Sequence, residues 1–408
     1  MSSVTRKPTR SPEHADKLRT ERHDALHVLW KESNLSRIRH CGSSLSKHSG
    51  DGNTVSLKYS DGIAGFSGLQ SCGSVHACPC CSQKIMASRA QDVQDAVDSW
   101  HKLYKGRVIF LTLTMRHNKT QPLDMLLDAG SYGWSKVTSG RGWKKDAELY
   151  GEHLPREVKT GKHKGETVWD WRINYVRALE VTHSYRNGWH AHFHSLLFVR
   201  DGITDDEVAM LGQSIYGRWA NALVAKGLTS PSPEHGIDTK LVRRGDSSAL
   251  GDYFTKNSYV GRIKADKAGF EVAYSAGKGQ YIDPYTGKVV RKDSRTPFGI
   301  LADVVALGDA DSLDLWHEWE KASQGRRQLT WSNGLRWILS LGVEKSDQEI
   351  VEEDLGGTVL MTFDRDEWRT LRWHSATILQ LACSGIHEKT QLLSMLWNKQ
   401  KVPSPLAA

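Results

Sequence analysis

Long apolar runs are missing from this sequence of 408 residues. No run reaches the roughly 18 apolar residues that a membrane-spanning helix needs, so we expect no transmembrane segment. Residues 1–22 are polar and basic and lack the apolar core of a secretory signal peptide, which argues against export. We therefore expect a protein of the cytoplasm.

Cysteine is also scarce, and the sequence has no internal repeat or low-complexity tract. Six cysteines in 408 residues exclude a small disulfide-rich secreted fold. In the cytoplasm these cysteines should be thiols, and clustered thiols indicate a metal site before they indicate a disulfide. Cys383 stands alone and is expected to be a core residue.

The charge balance is basic, with 55 Lys and Arg against 47 Asp and Glu, a net charge of +8 and a pI of about 9.0. This excess is compatible with a polyanionic partner such as nucleic acid, although a modest positive charge is common in proteins without one. The 15 tryptophans are expected mainly in the core, with some free to stack on bases.

The chain length predicts two or three domains, and changes in composition place their boundaries. We predict a basic arm at 1–40, a cysteine-rich module with a helix at 41–104, an α+β domain at 105–265, a linker or extension at 266–295 and a mainly helical domain at 296–408. The α+β class follows because strands and helices alternate around an antiparallel hairpin.

Periodicity predicts the elements of the α+β domain. The segment 107–115 (RVIFLTLTM) is apolar on both faces, as in a buried central strand. Strands at 171–182 and 188–200 flank Asn187-Gly188, a pair typical of tight hairpin turns. The other predictions are helices at 26–35, 85–104, 204–227 (with a Thr204–Glu207 capping box) and 247–259, a strand at 237–243, and a mixed hydrophilic segment at 117–165.

The segment 189–194 (WHAHFH) is the most informative part of the sequence. Side chains alternate across a strand, so His190, His192 and His194 should project from one face. A solvated polar face would explain one histidine, but three at this period favour a metal site, because each offers a neutral nitrogen near pH 7. Glu180 on the preceding strand adds an oxygen ligand. This set suits manganese or magnesium with open positions, or zinc.

A tyrosine and a lysine further along the chain are candidates for catalysis. Tyr253 and Lys256 are three residues apart, so a helix brings both to one face. A phenol attacks phosphorus only with help from a metal that polarises the phosphate or an ammonium that stabilises developing charge. Tyr253 is the expected nucleophile and Lys256 its helper, and Tyr259 is a second candidate. Alone, this pair would indicate an ordinary surface helix.

Clustered cysteines predict a structural zinc site in the N-terminal third. Cys78 and Cys81 have the Cys-x2-Cys spacing that lets two thiolates hold one zinc ion. His76 and Cys80 are alternative ligands, and buried thiols or a redox pair are the alternative interpretations. The four expected ligands are Cys41, Cys72, Cys78 and Cys81.

The order of these features resembles rolling-circle replication initiators of the HUH endonuclease superfamily. The segments that carry the resemblance are 110–114 (FLTLT), 188–194 (GWHAHFH) and 250–256 (LGDYFTK). The His-hydrophobe-His pair of the family maps to His192 and His194. The resemblance covers 105–260 and extends to 41–89 and 295–298, which are similar to flanking features of actinobacterial plasmid Rep proteins.

The resemblance implies a central antiparallel sheet flanked by helices and a nick in single-stranded plasmid origin DNA. The tyrosine would keep a 5′-phosphotyrosine link and free a 3′-hydroxyl as primer. A host helicase and DNA polymerase are implied partners in the bacterial cytoplasm. The residues carried over are His192, His194 and Glu180 for a divalent metal, Mn or Mg, with His190 as a further candidate, Tyr253 as nucleophile and Lys256 as its helper.

One position departs from the family pattern. Relatives often carry a glutamate four residues before the tyrosine, where it activates water to end the cycle, and here that position is Ala249. Asp252 should face away from the nucleophile on a helix. We expect Asp246, or a carboxylate from elsewhere such as Glu180, to take this role rather than Tyr259.

Four alternative functions are open to such a chain. A conjugative relaxase would place its tyrosine before the histidine motif, and a single-strand transposase would be much shorter. A non-catalytic origin-binding protein would not need the tyrosine and both histidines. A zinc hydrolase of small substrates would leave the tyrosine and the basic charge unexplained.

Overall fold

The structure is a computed structural model that describes residues 12–46, 53–158, 160–245, 280–282, 289–291, 294–354 and 356–399. Within these ranges no helix combines the length and the apolar character needed to cross a bilayer. The predicted helix 247–259 lies outside the described residues.

Helices and strands are interspersed along the chain. The helices are α1 (Pro12–Glu32), α2 (Ser36–Arg39), α3 (Pro79–Tyr104), α4 (Leu123–Val137), α5 (Gly140–Tyr150), α6 (Asp205–Ala225), α7 (Pro233–Gly236), α8 (Pro297–Leu307), α9 (Ala310–Ser323), α10 (Leu335–Ile338), α11 (Asp347–Glu352), α12 (Arg365–Leu371), α13 (Ser375–Cys383) and α14 (Lys389–Lys399). The strands are β1 (Val55–Ser60), β2 (Ile63–Ser67), β3 (Arg107–Thr114), β4 (Glu152–Glu157), β5 (Thr167–Arg172), β6 (Asn174–Ser184), β7 (Gly188–Val199), β8 (Ile237–Leu241), β9 (Gln280–Ile282), β10 (Val289–Arg291), β11 (Leu329–Trp331) and β12 (Thr358–Phe363).

A five-stranded antiparallel sheet in the order β11-β6-β7-β3-β8 lies at the centre of the fold. The predicted α+β class with an antiparallel sheet and flanking helices is confirmed. β6 and β7 form the predicted hairpin, and Gly188 begins β7 with a φ of +76°. A Cβ at Gly188 would lie 2.9 Å from the Cα of Lys119. Both the positive φ and this close contact therefore require glycine.

Helices α4 and α6 cover one face of this sheet. Leu111, Leu113 and Phe193 point into the core on that side, where they join apolar residues of both helices. α6 begins at the predicted capping box, in which the Thr204 hydroxyl accepts from the Glu207 amide and the Glu207 carboxylate accepts from the Thr204 amide.

The other face of the sheet is divided along its strands. Its apolar half, which includes Val108, Leu196 and Phe198, is buried under α3 and packs against Trp100. The remaining half carries the histidines of β7 and Glu180 of β6, which are opposite one another in the register. Among the described residues α3 covers only the apolar half of this face, and the side chains of Glu180 and His192 on the polar half stay partly exposed, by 22% and 16%.

The segment 117–165 differs from its prediction, since it contains α4, α5 and β4. Leu123, Leu126 and Leu127 of α4 are buried at helical spacing. Glycines further along the same helix weaken the helical pattern in the sequence. Gly133 is needed for close packing, because a Cβ there would lie 2.6 Å from the indole of Trp219. α1 is also longer than the predicted helix, since it begins at Pro12.

A second, three-stranded antiparallel sheet has the order β12-β1-β2 and packs with α12, α13 and α14 around a separate core. β12 and β11, which both follow residue 296, pair with strands that precede it. Tertiary pairing therefore links the regions that composition separates, and the five-part domain division remains a prediction.

Candidate metal centre

The strand register brings the predicted metal ligands together. Glu180 of β6 is directly opposite His192 of β7, and Thr112 of β3 is directly opposite His194. β7 lies between β6 and β3, so its outward side chains are flanked on both sides. Alternation on β7 places the imidazoles on one face, and the register with β6 places the Glu180 carboxylate on the same face.

Glu180, His192 and His194 form a compact group whose ligand atoms all lie within 4.8 Å of one another. The Glu180 Oε2 is 2.5 Å from His194 Nε2 and 3.1 Å from His192 Nε2. Although burial raises the pKa of Glu180, the two imidazoles outweigh it and hold this pKa well below its usual range. The carboxylate is therefore anionic and faces two nitrogen ligands.

The His192 Nε2 gives a structural test of whether a metal would suit this group. It is buried and lies 3.1 Å from Glu180 Oε2, in a geometry too poor for a full hydrogen bond. A buried nitrogen whose hydrogen bond is poorly made costs free energy, and a bound cation would remove that cost. Two imidazole nitrogens and one carboxylate oxygen leave further coordination positions open, as a catalytic metal requires.

Thr112 contacts His194 from the neighbouring strand. Its hydroxyl lies 3.1 Å from His194 Nδ1, so the ring has a hydrogen-bond partner on the side opposite Glu180. Phe110 stacks on the same imidazole at 5.5 Å and 29°. Such contacts fix the orientation of a metal-binding histidine and determine which nitrogen it presents.

His190 lies on the same face but outside the compact group. Its ring is 4.7 Å from that of His192 and stacks at 4.7 Å on His117. Burial, with the nearby His192 and His117, lowers the pKa of His190 to about 4, so it is neutral near pH 7. A small cleft of about 190 Å³ adjoins it, lined by His117, Thr182, Ser184, Asn187, Gly188, His190 and Ser294.

Thr112 and His117 have roles that their local sequence does not indicate. Thr112 lies in the apolar strand segment 107–115, but its period-two position places it on the polar face. His117 follows β3 and binds the Asn187 carbonyl through Nδ1 at 3.1 Å. No local pattern shows this pairing, because it depends on the register between β3 and β7.

Tyr253, Lys256 and Tyr259 lie outside the described residues, and so do Asp246, Ala249 and Asp252. Their proposed roles rest on the sequence alone.

The four expected zinc ligands lie together in the core. Cys41 Sγ is 3.7 Å from Cys78 Sγ and 3.6 Å from Cys81 Sγ, and Cys72 Sγ is 3.6 Å from Cys81 Sγ. A tetrahedral zinc ion with bonds of ~2.3 Å would separate its sulfurs by about 3.8 Å. These distances match that geometry and exceed the roughly 2.05 Å of a disulfide.

The thiol cluster joins segments that are distant in sequence. Cys41 follows α2, Cys72 follows β2, and Cys78 is the N-cap of α3, where its sulfur accepts from the Cys81 amide. Hydrogen bonds from the neighbouring cysteines, Cys41 first, hold the pKa of Cys81 well below that of a free thiol. A thiolate is the form that binds metal.

The alternative ligands and the isolated cysteine lie elsewhere. His76 Nε2 is 3.1 Å from the Arg326 carbonyl, and the Cys80 thiol faces the Arg22 carbonyl at 3.9 Å. Burial raises the pKa of Cys80 to about 12, which disfavours its thiolate. Cys383 is half-buried, packs beside the core of the small sheet and accepts from Arg19 at 3.8 Å.

Comparison with known proteins finds three relatives. A protein named Protein rep from Streptomyces lividans is 29% identical over 321 residues, which cover 71% of this chain and 67% of that protein. A Neomycin resistance protein from Streptomyces cyanogenus is 29% identical over 156 residues, 36% of this chain and 35% of that protein. A Protein rep from Lentilactobacillus hilgardii is 24% identical over 148 residues, 36% of this chain and 39% of that protein.

The predicted resemblance to Rep proteins is confirmed by these similarities. The chain spans about two thirds of the Streptomyces lividans protein and little more than one third of the other two. No family model matches the chain. No solved structure matches it either.

Proposed function

We propose that this chain is a plasmid rolling-circle replication initiator that nicks one strand of origin DNA. It would belong to the HUH endonuclease superfamily and act as a metal-dependent, site-specific endonuclease and strand transferase. The observation that carries the proposal is the convergence of Glu180, His192 and His194 on the half of the sheet face that α3 does not cover. Similarity to proteins named Rep supports the biological role.

The donor set supports a divalent metal such as manganese or magnesium at this centre. When bound, such an ion would polarise the scissile phosphate and neutralise charge that develops on its oxygens. Glu180 contributes the negative charge, and His192 and His194 contribute neutral nitrogen donors. Thr112 keeps the His194 ring oriented, so that the site is preorganised before DNA binds.

Tyr253 is the proposed nucleophile. Its phenol loses its proton to solvent and the oxygen forms a bond to phosphorus, while the bond from phosphorus to the 3′ oxygen breaks and the leaving 3′ oxygen takes up a proton from solvent. The 5′ side of the nick stays on the enzyme as a phosphotyrosine, and the free 3′-hydroxyl serves as primer. Lys256, three residues further on, would stabilise the attacking phenolate and the charge on the phosphate.

The same proposal assigns the second half of the cycle to a carboxylate. Ala249 occupies the position where relatives of the family often carry glutamate. Glu180 is already engaged by two imidazoles, which makes it a poor base for activating water. Asp246 is therefore the preferred residue for termination, ahead of a second attack by Tyr259.

The cysteine cluster is proposed to hold a structural zinc ion. Four buried sulfurs leave no open position for substrate, so the ion would stabilise the fold rather than take part in the reaction. The implied partners are origin DNA, single-stranded at the nick site, and the host helicase and DNA polymerase. The proposed location is the bacterial cytoplasm.

The decisive experiment incubates the protein and manganese with a supercoiled plasmid that carries its own gene. We expect a site-specific nick with protein bound to the 5′ end, seen as a slow band on a denaturing gel. Tyr253→Phe should abolish the adduct because it lacks the attacking oxygen, while Tyr259→Phe, the matched control, should form it normally. Plasmid binding without any nick would favour a non-catalytic origin-binding protein instead.

A further inference from the structure

The hairpin of β4 and β5 has an inverted pattern of burial. In its register His153 is opposite Trp171, and Pro155 is opposite Trp169. The indoles of Trp169 and Trp171 are 59% and 49% exposed, although antiparallel ribbons usually turn their apolar side chains inward. Leu154 on the opposite face is fully buried beside the residues of α3. Packing of the hairpin against the core therefore explains Leu154 but not the two exposed tryptophans.

The exposed rings form one aromatic surface. The His153 ring lies 5.1 Å from Trp171 and 5.6 Å from Trp169, with interplanar angles of 43° and 32°. Two residues along a strand span about 6.8 Å, so the backbone positions of Trp169 and Trp171 are separated by about two base thicknesses of ~3.4 Å. Unpaired bases stack on aromatic side chains whatever their sequence, whereas bases in a duplex have their faces already covered.

The tip of the hairpin supplies positive charge. Lys162 and Lys164 are exposed, and within the described ranges neither ammonium lies in an ion pair. Arg156 is bound to Asp170 on the opposite face of the hairpin, so its charge is already compensated. Glu157 lies on the aromatic face, between the indoles and the tip, and it should oppose an anionic ligand.

We propose that this surface, formed by His153, Trp169, Trp171 and the two tip lysines, binds single-stranded DNA. The indoles would stack on unpaired bases, and the lysines would contact phosphates. β5 leads directly into β6, and Trp171 and Glu180 are nine residues apart, so the Cα atoms of these two residues lie at most about 30 Å apart. Only the identity of the strand, the one flanking the nick, rests on the proposed function.

The test measures binding of a labelled oligothymidine to the full chain without added manganese or magnesium. Trp169→Ala and Trp171→Ala should each weaken binding on the order of fivefold or more, because each removes a stacking partner. Trp169→Tyr should retain most of the affinity. Trp397→Ala is the matched control, since this indole is 50% exposed on α14, and it should bind like the wild type.

Charge variants test the same surface independently. Lys162→Gln and Lys164→Gln should weaken binding and make it less dependent on salt, because fewer counterions are released. Glu157→Gln should strengthen binding, since it removes a carboxylate that repels phosphates. DNA should also quench the tryptophan fluorescence of the wild type more than that of the Trp169→Ala, Trp171→Ala double variant.

Two results would overturn this assignment. Wild-type affinity in both tryptophan variants, with unchanged thermal stability, would show that the surface does not bind DNA. A change in oligomeric state without a change in DNA affinity would make the surface a contact between protein chains. The nicking assay separates the two proposals, because a protein that binds through the hairpin but never nicks refutes only the proposed enzyme activity.

Discussion

The cysteine cluster and the Glu180–His192–His194 group both place ligand atoms within 4.8 Å of one another, yet they differ in donor type and access. The cysteines are all buried, offer four sulfurs and connect separate segments of chain. The second group is only partly buried, offers nitrogen and oxygen, and lies on the central five-stranded sheet. A closed set of ligands suits a structural ion, and an open set suits catalysis.

The sharpest test of this contrast removes two cysteines. Cys78→Ser with Cys81→Ser should abolish zinc binding and lower the Tm by roughly 10 °C or more, because the binding free energy of a structural zinc contributes to folding. Elemental analysis of the wild type should find about one zinc per chain.

Cys80→Ser provides the control for that pair, since its sulfur lies outside the cluster and the substitution should leave zinc and Tm nearly unchanged. Zinc retained by the double variant would show that the cysteine cluster is not a structural zinc site.

At the open centre, the expected effect is on activity and not on stability. His192→Ala and His194→Ala should each abolish nicking, since each removes a nitrogen ligand, while the Tm should shift by only a few degrees. A brief chelator treatment should also stop nicking, and manganese or magnesium should restore it while zinc stays bound.

The exposed His235 supplies a matched control, and His235→Ala should nick normally. Full activity of the wild type in a strong chelator would contradict a metal-dependent site.

A subtler loss is expected at the residue that orients His194. Thr112→Val keeps the shape of the side chain but removes its hydroxyl, so metal affinity should fall about 10- to 100-fold, as for other residues that support a ligand. Nicking measured against manganese concentration should shift to higher concentration and still reach a similar maximum. Thr112→Ser should behave like the wild type. Equal shifts in both variants would show that the hydroxyl does not support metal binding.

The smallest effect concerns His190. Burial lowers its pKa to about 4 from a usual value of 6.5, so the unfolded chain binds its proton more readily. The resulting stability is complete above pH 6.5 and is lost as the pH falls towards 4. His190→Gln should therefore reduce the fall in Tm between pH 7 and pH 5 by about 2 °C in calorimetry. An unchanged fall would mean that this imidazole is already hydrated in the folded protein.

Local signals in the sequence predicted the central features of the sheet domain. The pair Asn187-Gly188 indicated the hairpin, since glycine accepts the positive φ that its turn requires. Thr204 and Glu207 indicated the start of α6, because a capping box satisfies amides within a few residues. Each of these signals is a matter of short-range geometry, so the chain alone contains it.

Other parts of the fold needed contacts that no local pattern contains. α4 could not be predicted from the sequence because it contains glycines, which disfavour a helix. Gly133 is present for close packing on Trp219. β11 and β12 come from a region predicted to be mainly helical, and both are short or half-exposed strands whose stability comes from pairing with β6 and β1. Pairing across such sequence distances depends on the whole fold.

By itself, the sequence determined that His190, His192 and His194 share one face, since side chains in a strand alternate with a period of two. It also determined that Cys78 and Cys81 can serve as two ligands of one site, because their spacing of three residues is about one helical turn. Only the tertiary structure decided that Glu180 meets His192 and His194, and that Cys41 and Cys72 complete the cluster. Those contacts depend on strand register and chain crossings, which hydrophobic burial across the whole molecule selects.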